Sequence, residues 1–300
     1  MTLYGFHTGV GLSPTVTGAF CRGAKAPLRH VSTFLEGGLP ADAAAVAMYG
    51  ILRGTGLLYR YSQERKIDFY YIDHGYFTRS THWLERLGRS HRWFRVTMNG
   101  HATNRMTDGD NDRFRRYFAN HYPLLPWRGG KGDAILILPP TPAIRWFFGC
   151  SNWREETVRR IRCFSEMPII WREKPGAKNV DEWGNPDGTF SEPAPPADPN
   201  LTVSSGSLQD DLDRAAVVVC FNSNVAVEAI RQGIPVLCEE HCAAHPIRFP
   251  WEALASPRML RIEPDRQTWF AHLANHQFSL SELKSGYAWE HLRSRSQTYN

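Results

Sequence analysis

The chain has 300 residues, 42% of them apolar, and carries a net charge of +5. Its length fits one large domain or two of about 130 to 170 residues, and its apolar fraction excludes a globally disordered chain. No apolar run is long enough to cross a bilayer and the first residues lack a charged-then-apolar leader, so we expect a soluble protein of the cytoplasm.

The charge and the cysteines bear on the partners and the compartment. A mild positive charge fits an anionic partner and an ordinary solvated surface equally well. The six cysteines show no disulfide framework, which indicates a reducing compartment.

The first half begins with a strand that ends in a glycine-bearing turn. We predict this strand at 3–6 and the turn at 7–11. His7 is therefore a candidate for contact with an acceptor, although a generic tight turn explains the glycines equally well. Further along we predict a helix at 41–52 and a second strand at 68–72.

The second strand is rich in aromatic residues and ends in Asp73 and His74. At the carboxyl end of a strand, Asp73 is placed to act as a general base that deprotonates an acceptor hydroxyl, and His74 is the competing candidate. A turn aspartate that caps local backbone N–H groups is the structural alternative.

A basic segment with interleaved aromatic residues follows at 86–95. Such mixtures suit a nucleic-acid backbone together with a stacked or flipped base, although most runs of charge are solvated faces. The candidate acceptor-binding residues of this segment are Arg89, Arg92, Trp93 and Arg95.

From residue 133 onward, strands and helices alternate. Helices separate the predicted strands at 134–138, 168–171, 201–204, 217–220 and 234–238. This alternation predicts βαβ units in a doubly wound parallel sheet, whose ligands bind at the carboxyl ends of the strands. A connector before residue 131 divides the chain into predicted domains at 1–130 and 131–300, and a long Pro- and Gly-rich loop is expected at 176–200.

Polar residues follow the strand at 217–220 and precede a helix. Asn222, Ser223 and Asn224 suit the start of that helix, and a helix N-terminus carries about half a positive charge and unpaired N–H groups that can hold an anion. Glu228 lies further along, where a carboxylate can accept hydrogen bonds from a ribose diol. The alternative is that Ser223 only caps the helix and that Glu228 is solvated.

The letters SLQDDL, RAA, NSN, EA and GIPV occur in this order from residue 207 to 236. They resemble the "dDL..A..VV..nS...EA...G.PV" pattern of the C-terminal nucleotide-sugar-binding domain of GT-B glycosyltransferases, notably the capsule-polysaccharide-type transferases. The segment IIWREKP at 169–175 is similar to the place where that group carries a basic residue before a proline. The resemblance covers residues 133–265. Sugar-nucleotide 2-epimerases share the architecture, but this chain lacks their Gly-Gly at the helix start.

The resemblance implies an α/β fold of two Rossmann-like domains with a central cleft (GT-B-like), closed by C-terminal helices. It places the acceptor on domain 1–130 and the donor on domain 131–300. The donor is a nucleotide-sugar co-substrate, a UDP-sugar in our interpretation, and no cofactor or metal is required. Because the base of inverting GT-B enzymes comes from the N-terminal half, the resemblance supports Asp73. The donor-binding residues that it implies are Asn222, Ser223 and Asn224 for the diphosphate, Glu228 for the ribose, Arg172 and Lys174 for the phosphate charge, and His241 in the loop after the last strand.

Cys238, His241, Cys242 and His245 have a spacing that imitates a metal site on a helix. However, Cys238 ends a predicted core strand and Pro246 breaks any long helix. We therefore predict a loop beside the donor rather than a zinc site.

The acceptor stays open between two classes. Residues 266–290 resemble the closing helices of glycosyltransferase-like proteins found in phage genomes, which implies double-stranded DNA carrying 5-hydroxymethylpyrimidines as the acceptor and the host cytoplasm as the location. An envelope or capsule saccharide is the alternative acceptor. A sugar-nucleotide 2-epimerase and a non-catalytic binding module of the same fold are the alternative functions.

Overall fold

The computed structural model describes residues 2–77, 92–103, 106, 110–191 and 194–296. The chain divides into two compact units. The first comprises Met1–His101, Asp181–Asn185 and Leu273–Asn300, and the second comprises Ala102–Val180 and Pro186–His272. The predicted boundary at residue 130 stays a prediction, and these units divide the chain differently.

The first unit contains a six-stranded sheet with the strand order β13-β5-β4-β3-β1-β2. Strands β2, β1, β3 and β4 are parallel. Strand β5 is antiparallel to β4, and β13 is antiparallel to β5, so β13 points in the same direction as the four parallel strands. Numbered along the chain, the strands are β1 (Thr2–His7), β2 (Leu28–His30), β3 (Ala43–Tyr49), β4 (Asp68–His74), β5 (Trp93–Met98) and β13 (Gln277–Ser279).

The helix predicted at 41–52 is wrong, because this segment contains strand β3 (Ala43–Tyr49). Its run of alanines favours a helix locally. In the folded chain β3 lies between β1 and β4, and its central residues are fully buried. Small side chains fit a strand that is covered on both faces, so the tertiary context overrides the local preference.

Helices of the first unit pack on this sheet and complete its core. Phe20 of the first helix, Tyr70 of β4 and Phe278 of β13 belong to one buried cluster, together with Leu283 near the C-terminus. The helices are α1 (Ser13–Ala24), α2 (Ser32–Gly37), α3 (Thr55–Glu64), α11 (Leu280–Ser285) and α12 (Tyr287–Ser296).

The second unit contains a five-stranded sheet that is parallel throughout, with the strand order β10-β7-β6-β11-β12. The predicted α/β class with a doubly wound parallel sheet is thereby confirmed. Strands β6 and β11 are buried along their whole length, as their unbroken apolar sequences predict. The strands are β6 (Ala134–Leu138), β7 (Ile169–Trp171), β10 (Leu201–Val203), β11 (Ala215–Cys220) and β12 (Val236–Cys238).

Helices flank this sheet, and a hairpin occupies the predicted loop at 176–200. Thr141 caps one helix with its side chain, and Ser207 forms a capping box with Asp210 on another. The hairpin strands are β8 (Lys178–Val180) and β9 (Pro186–Phe190). The helices are α4 (Asp112–Tyr117), α5 (Pro142–Phe148), α6 (Trp153–Arg162), α7 (Leu208–Arg214), α8 (Val225–Arg231), α9 (Pro257–Leu260) and α10 (Arg266–Asn275).

Each sheet has a point at which the strand order reverses. When the strands of each sheet are numbered in chain order, the first sheet has the order 2-1-3-4 from β2 to β4, and the second sheet has the order 3-2-1-4-5. Ligands of doubly wound sheets bind at the carboxyl ends of the strands beside such a reversal. These places are the ends of β1 and β3 in the first unit and of β6 and β11 in the second. None of the described helices is long and apolar enough to cross a membrane.

Candidate functional site

Titratable side chains occupy the carboxyl ends of four neighbouring parallel strands in the first unit. In sheet order these are His30 on β2, His7 on β1, Tyr49 on β3, and Asp73 with His74 on β4. We call this row the first-sheet edge. Neighbouring strands lie about 4.8 Å apart, so adjacent members of the row are within reach of one small ligand.

Asp73 is held by donors on both of its carboxylate oxygens. Its Oδ2 accepts hydrogen bonds from the Tyr71 hydroxyl at 2.7 Å and from Arg95 Nη2 at 3.1 Å. Its Oδ1 accepts the backbone N–H of His74 at 2.8 Å. Behind this group, the His101 ring stacks on Tyr71, and its Nε2 lies 3.3 Å from the Tyr71 hydroxyl. The carboxylate is therefore the centre of a partly buried polar network.

This network determines the acidity of Asp73. Burial alone would raise the pKa of its carboxyl, but the positive charges of Arg95, His101 and His74 and the Tyr71 hydrogen bond together lower it below its ordinary value. A carboxylate with a lowered pKa is a weak base, because catalytic bases work best with a pKa near the working pH. The predicted role of Asp73 as general base stays untested, and its surroundings favour a charge that stabilises a neighbouring cation.

His74 is exposed at the first-sheet edge and contacts the half-buried phenol of Tyr49. Its Nε2 lies 3.2 Å from the Tyr49 hydroxyl, and the two rings meet edge to face. Burial, followed by the nearby Asp73 charge, raises the pKa of Tyr49 far above its usual value. Tyr49 therefore stays a neutral phenol at physiological pH and can orient the imidazole without competing for its proton.

A close approach of two backbones explains Gly75, which follows these residues. The Gly75 N–H donates to the Trp93 carbonyl at 2.8 Å, and a side chain at Gly75 would lie 2.8 Å from Gln277 Oε1 and 2.9 Å from the Trp93 carbonyl oxygen. Gln277 Oε1 in turn accepts the backbone N–H groups of Tyr76 and Phe77. Only glycine fits this contact, which ties the end of β4 to β5 and β13.

The structure places Arg95 away from the predicted acceptor surface. Its side chain is 5% exposed and its guanidinium is paired with Asp73, because Arg95 lies directly opposite Asp73 in the β4–β5 ladder. A buried, paired guanidinium is unsuited to contact with a nucleic-acid backbone. Arg92 is exposed and Trp93 is half-buried, whereas Arg89 lies outside the described residues.

In the second unit, Asn222, Ser223 and Asn224 lie between β11 and α8, next to the reversal of strand order. The Ser223 hydroxyl accepts the Val225 N–H at 3.2 Å, and the Ser223 carbonyl accepts the Ala226 N–H. The N-cap residue of α8 is Asn224, and its side chain makes no capping hydrogen bond. Asn224 is exposed and Asn222 is half-buried. This turn and the ends of β6, β7 and β12 form what we call the second-sheet edge.

The carboxylate of Glu228 on α8 is already hydrogen-bonded to neighbouring side chains. Arg231 binds both of its oxygens, with Nε at 2.9 Å from Oε2 and Nη2 at 2.6 Å from Oε1. Gln232 Nε2 donates to Oε1 at 2.7 Å and is itself held by a reciprocal amide pair with Gln209 of α7. A ribose diol would have to share this carboxylate with Arg231 or displace it.

Arg172 and Lys174 follow β7 but differ in availability. Arg172 Nη1 donates to Asp211 Oδ2 at 2.7 Å, to Ser204 Oγ at 2.9 Å and to the Gly206 carbonyl at 2.9 Å. Its charge is therefore already balanced by a nearly buried aspartate, and the phosphate-binding role implied for Arg172 stays a prediction. Lys174 is exposed, and its ammonium group makes no hydrogen bond or ion pair with any described side chain.

His241 stacks on an aromatic ring at the second-sheet edge. Its ring centroid lies 4.2 Å from that of Phe148 with an interplanar angle of 22°, and Phe221 lies 5.9 Å away. Burial lowers the pKa of His241, against the opposing charges of Glu240 and Glu239. His241 is therefore mainly neutral at pH 7 and suits hydrogen bonding better than charge neutralisation.

The thiols near His241 are buried. Cys220, Cys238 and Cys242 pack at the ends of β11 and β12. Hydrogen bonding to Cys242 and burial keep the pKa of both Cys220 and Cys238 well above the usual value, so these groups are protonated. Within the described residues, no group of three or more His, Cys, Asp or Glu side chains is arranged to hold a metal ion.

Because Arg172 is paired and Lys174 is exposed, we expect their replacement to have different effects on donor binding. We expect Lys174→Ala to raise the dissociation constant for a nucleotide sugar about tenfold, because it removes one charge-assisted phosphate contact of about 1.5 kcal/mol. Calorimetry measures this constant, with Lys178→Ala on the neighbouring hairpin as the matched control. Arg172→Ala should instead lower the melting temperature, since it leaves Asp211 without its cation. Equal affinity of Lys174→Ala and the parent chain would remove Lys174 from the donor site.

Comparisons with known proteins give structural likeness only. No family model matches the chain, and no curated protein is significantly similar to it. Two solved structures of Thermosulfurimonas dismutans KpsC resemble it. The beta Kdo 2,7 transferase is 12% identical, with a TM-score of 0.47 over 98% of this chain and 100% of that one. The beta Kdo 2,4 transferase is 13% identical, with a TM-score of 0.45 over 91% of this chain and 89% of that one. Likeness at this level says nothing about the reaction or the ligands of this chain.

Proposed function

We propose that this chain is a glycosyltransferase that moves a sugar from a nucleotide sugar to a hydroxyl acceptor. One observation carries the proposal: the Asn222 to Asn224 turn, which belongs to the glycosyltransferase-like pattern, follows β11 at the reversal of strand order in a 3-2-1-4-5 parallel sheet. A ligand of such a sheet is expected at this place. The sequence pattern and the ligand position predicted by topology therefore coincide.

At the second-sheet edge, the donor diphosphate gains negative charge as the sugar leaves. In our proposal the hydroxyl of Ser223 and the amide of Asn224 donate to it, and the exposed ammonium of Lys174 supplies a cation. Fixed donors and cations of this kind stabilise a developing charge without reorganisation during the reaction. A UDP-sugar is the donor that we would try first, and in our proposal no metal is required.

At the first-sheet edge, His74 acts as the general base in our proposal. In the tautomer that carries its hydrogen on Nε2, this N–H donates to the Tyr49 oxygen, and Nδ1 keeps a lone pair for the acceptor hydroxyl. As the proton moves to Nδ1, the acceptor oxygen bonds to the anomeric carbon and the bond from that carbon to the diphosphate breaks. The Asp73 charge then stabilises the imidazolium. Asp73 is thus a positioning and electrostatic residue, and it stays the rival candidate for the base.

We propose a saccharide hydroxyl as the acceptor. Of the basic residues expected to contact DNA, Arg95 is buried and paired with Asp73, so this cation of the basic segment at 86–95 is not accessible to DNA. Arg92 is exposed. Modified DNA is the other acceptor to be tested, because the sequence resemblance to phage proteins raised it.

DNA binding distinguishes the two acceptors directly. We expect duplexes with 5-hydroxymethylated bases to bind no better than plain duplexes, with dissociation constants of about 10⁻⁴ to 10⁻⁶ M at physiological salt, the range of non-specific binding. Fluorescence anisotropy at several salt concentrations measures this, with Arg92→Ala beside the parent chain. Tight binding that requires the modified base and weakens steeply with salt would assign the acceptor to DNA.

The activity itself is tested with a panel of nucleotide sugars. Each donor is incubated with saccharide acceptors or modified DNA, and the products are identified by mass. Transfer supports the proposal. Inversion of the donor sugar without transfer would indicate an epimerase, and donor binding without turnover would indicate a non-catalytic module.

A further inference from the structure

Two histidines lie side by side at the first-sheet edge, next to the reversal of strand order. His7 ends β1 and His30 ends β2, and the parallel pairing of these strands sets the two residues directly opposite each other. Their ring centroids are 5.3 Å apart and the rings meet edge to face at 84°. His30 is exposed and His7 is half-buried, so a ligand can approach both rings from solvent.

The same local hydrogen bond orients both imidazoles. His7 Nδ1 accepts the backbone N–H of Gly9 at 3.0 Å, and His30 Nδ1 accepts the backbone N–H of Ser32 at 3.2 Å. Because Nδ1 is an acceptor in each ring, the neutral tautomer carries its hydrogen on Nε2. The pair therefore presents two Nε2–H donors at adjacent strand ends.

The backbone that joins β1 to α1 adds a second feature at this place. Gly9 and Gly11 have φ angles of 72° and 60°, which turn the chain sharply from β1 into α1. A side chain at Gly9 would lie 3.2 Å from His30 Nε2, so the glycine keeps that donor accessible. Helix α1 has 12 residues, begins without a side-chain cap and carries no acidic residue in its first turn. Its N-terminus thus favours an anion.

Among the described residues of the neighbouring elements, no acidic side chain pairs with His7 or His30. Arg29 on β2 lies over the ring of Tyr4, whose hydroxyl binds Asp42, and on β3 the Tyr49 hydroxyl lies beside His74. Burial, followed by the neighbouring His30, lowers the pKa of His7. Protonation of His7 is thus less favourable in the free protein than for an ordinary histidine, and an anion bound beside it would favour the protonated form.

We infer that His7 and His30 form a subsite for an oxyanion of the acceptor, a carboxylate or a phosphate, bound by the two Nε2–H donors beside the N-terminus of α1. That the oxyanion belongs to the acceptor rests on the proposed function, whereas the anion subsite itself does not. The acceptor is accordingly an acidic or phosphorylated saccharide, whose charged group is held two to three strands away from His74. Binding takes up protons and strengthens as the pH falls below 7.

Imidazole NMR of the full-length chain with ¹⁵N-labelled histidine tests this inference. The probes are glucuronate for the carboxylate, glucose 6-phosphate for the phosphate, and glucose as the neutral control, all at matched ionic strength. His7→Gln and His30→Gln assign the two resonances, and Gln keeps a neutral donor at each place. The exposed His121 of the second unit serves as the internal reference.

We expect one of the two anionic probes to raise the pKa of His7 by about one unit and to shift the imidazole resonances of His30, because an opposite charge within about 4 to 6 Å favours the charged imidazole. Glucose should leave both unchanged, and either single variant should weaken the response of the remaining histidine. The probe that responds identifies the anion as carboxylate or phosphate.

The inference would be overturned if neither probe makes His7 and His30 respond more than His121. The two histidines would then only stabilise the turns that follow their strands. Donor binding is measured on the same sample. If nucleotide sugars bind while the imidazole resonances of His7 and His30 do not respond, the anion subsite is refuted and the proposed function stands. If the histidines respond and no nucleotide sugar binds, the anion subsite stands and its assignment to an acceptor falls.

Discussion

Replacement of His74 with Gln is expected to lower the rate of sugar transfer by about 10²- to 10⁴-fold, the contribution of a well-placed general base. Gln retains a polar side chain of similar length but cannot take up the acceptor proton. His74 is exposed and, among the described side chains, its imidazole makes one hydrogen bond, to Tyr49, so the substitution should leave the fold intact. Donor affinity should be unchanged, because the proposed donor residues lie in the other unit. Single-turnover rates and donor calorimetry on the same preparation separate these effects.

Two further variants test the assignment of the base. Tyr49→Phe removes the group that orients the imidazole and should lower the transfer rate less than His74→Gln does. Full activity of His74→Gln together with an inactive but folded Asp73→Asn would make Asp73 the base. Should both variants remain active, the catalytic group lies elsewhere, and His7 is the next residue to replace.

Asp73→Asn is expected to destabilise the chain by about 3 kcal/mol at pH 7, since removal of one partner of a buried ion pair leaves the other charge uncompensated. Here the remaining charge is that of Arg95, whose side chain is 5% exposed. The Asp73 side chain is 27% exposed, which places the expected loss of stability at the lower end of the usual range. Denaturant unfolding measures the loss. Asp68→Asn, at the opposite end of β4, is the matched control and should change the stability little.

The pH dependence of this effect has a definite sign. The folded-state pKa of Asp73 is below its ordinary value, so its ion pair stabilises the chain above the unfolded pKa of about 3.9 and the contribution is lost as the pH falls through the lower folded value. The gap in stability between the parent and Asp73→Asn should therefore be full at pH 6 to 7 and narrow below about pH 4. A gap that is independent of pH would show that the charge of Asp73 is not the cause. Arg95→Met in the Asp73→Asn background should recover part of the loss, because it removes the buried cation whose charge Asp73 balanced.

Several features of the fold followed from residues that are neighbours in the sequence. The apolar run at 217–220, the polar turn after it and the alternation of elements from residue 133 predicted a buried parallel sheet, and the structure has one. The position of Asp73 and His74 at a strand end was also predicted and is confirmed. These features depend on periodicity and on helix capping, which involve residues a few positions apart.

Other features were decided by tertiary structure alone. Residues 43–49 form a strand because they lie between β1 and β4, and this strand brings Tyr49 to His74. Arg95 is buried because β5 runs antiparallel to β4 and sets it opposite Asp73, and Arg172 is paired because Asp211 lies 39 positions away in sequence but 2.7 Å away in space.

The site itself combines both kinds of information. His7 was recognisable at the end of its strand, whereas its partner His30 is 23 positions further along and carried no signal of its own in the sequence. The amino-acid sequence determined which segments become buried strands and which polar residues end them, because those properties depend on local composition. The order and register of the strands decided which of these ends meet, since the hydrogen bonds between strands join residues that are distant in the chain.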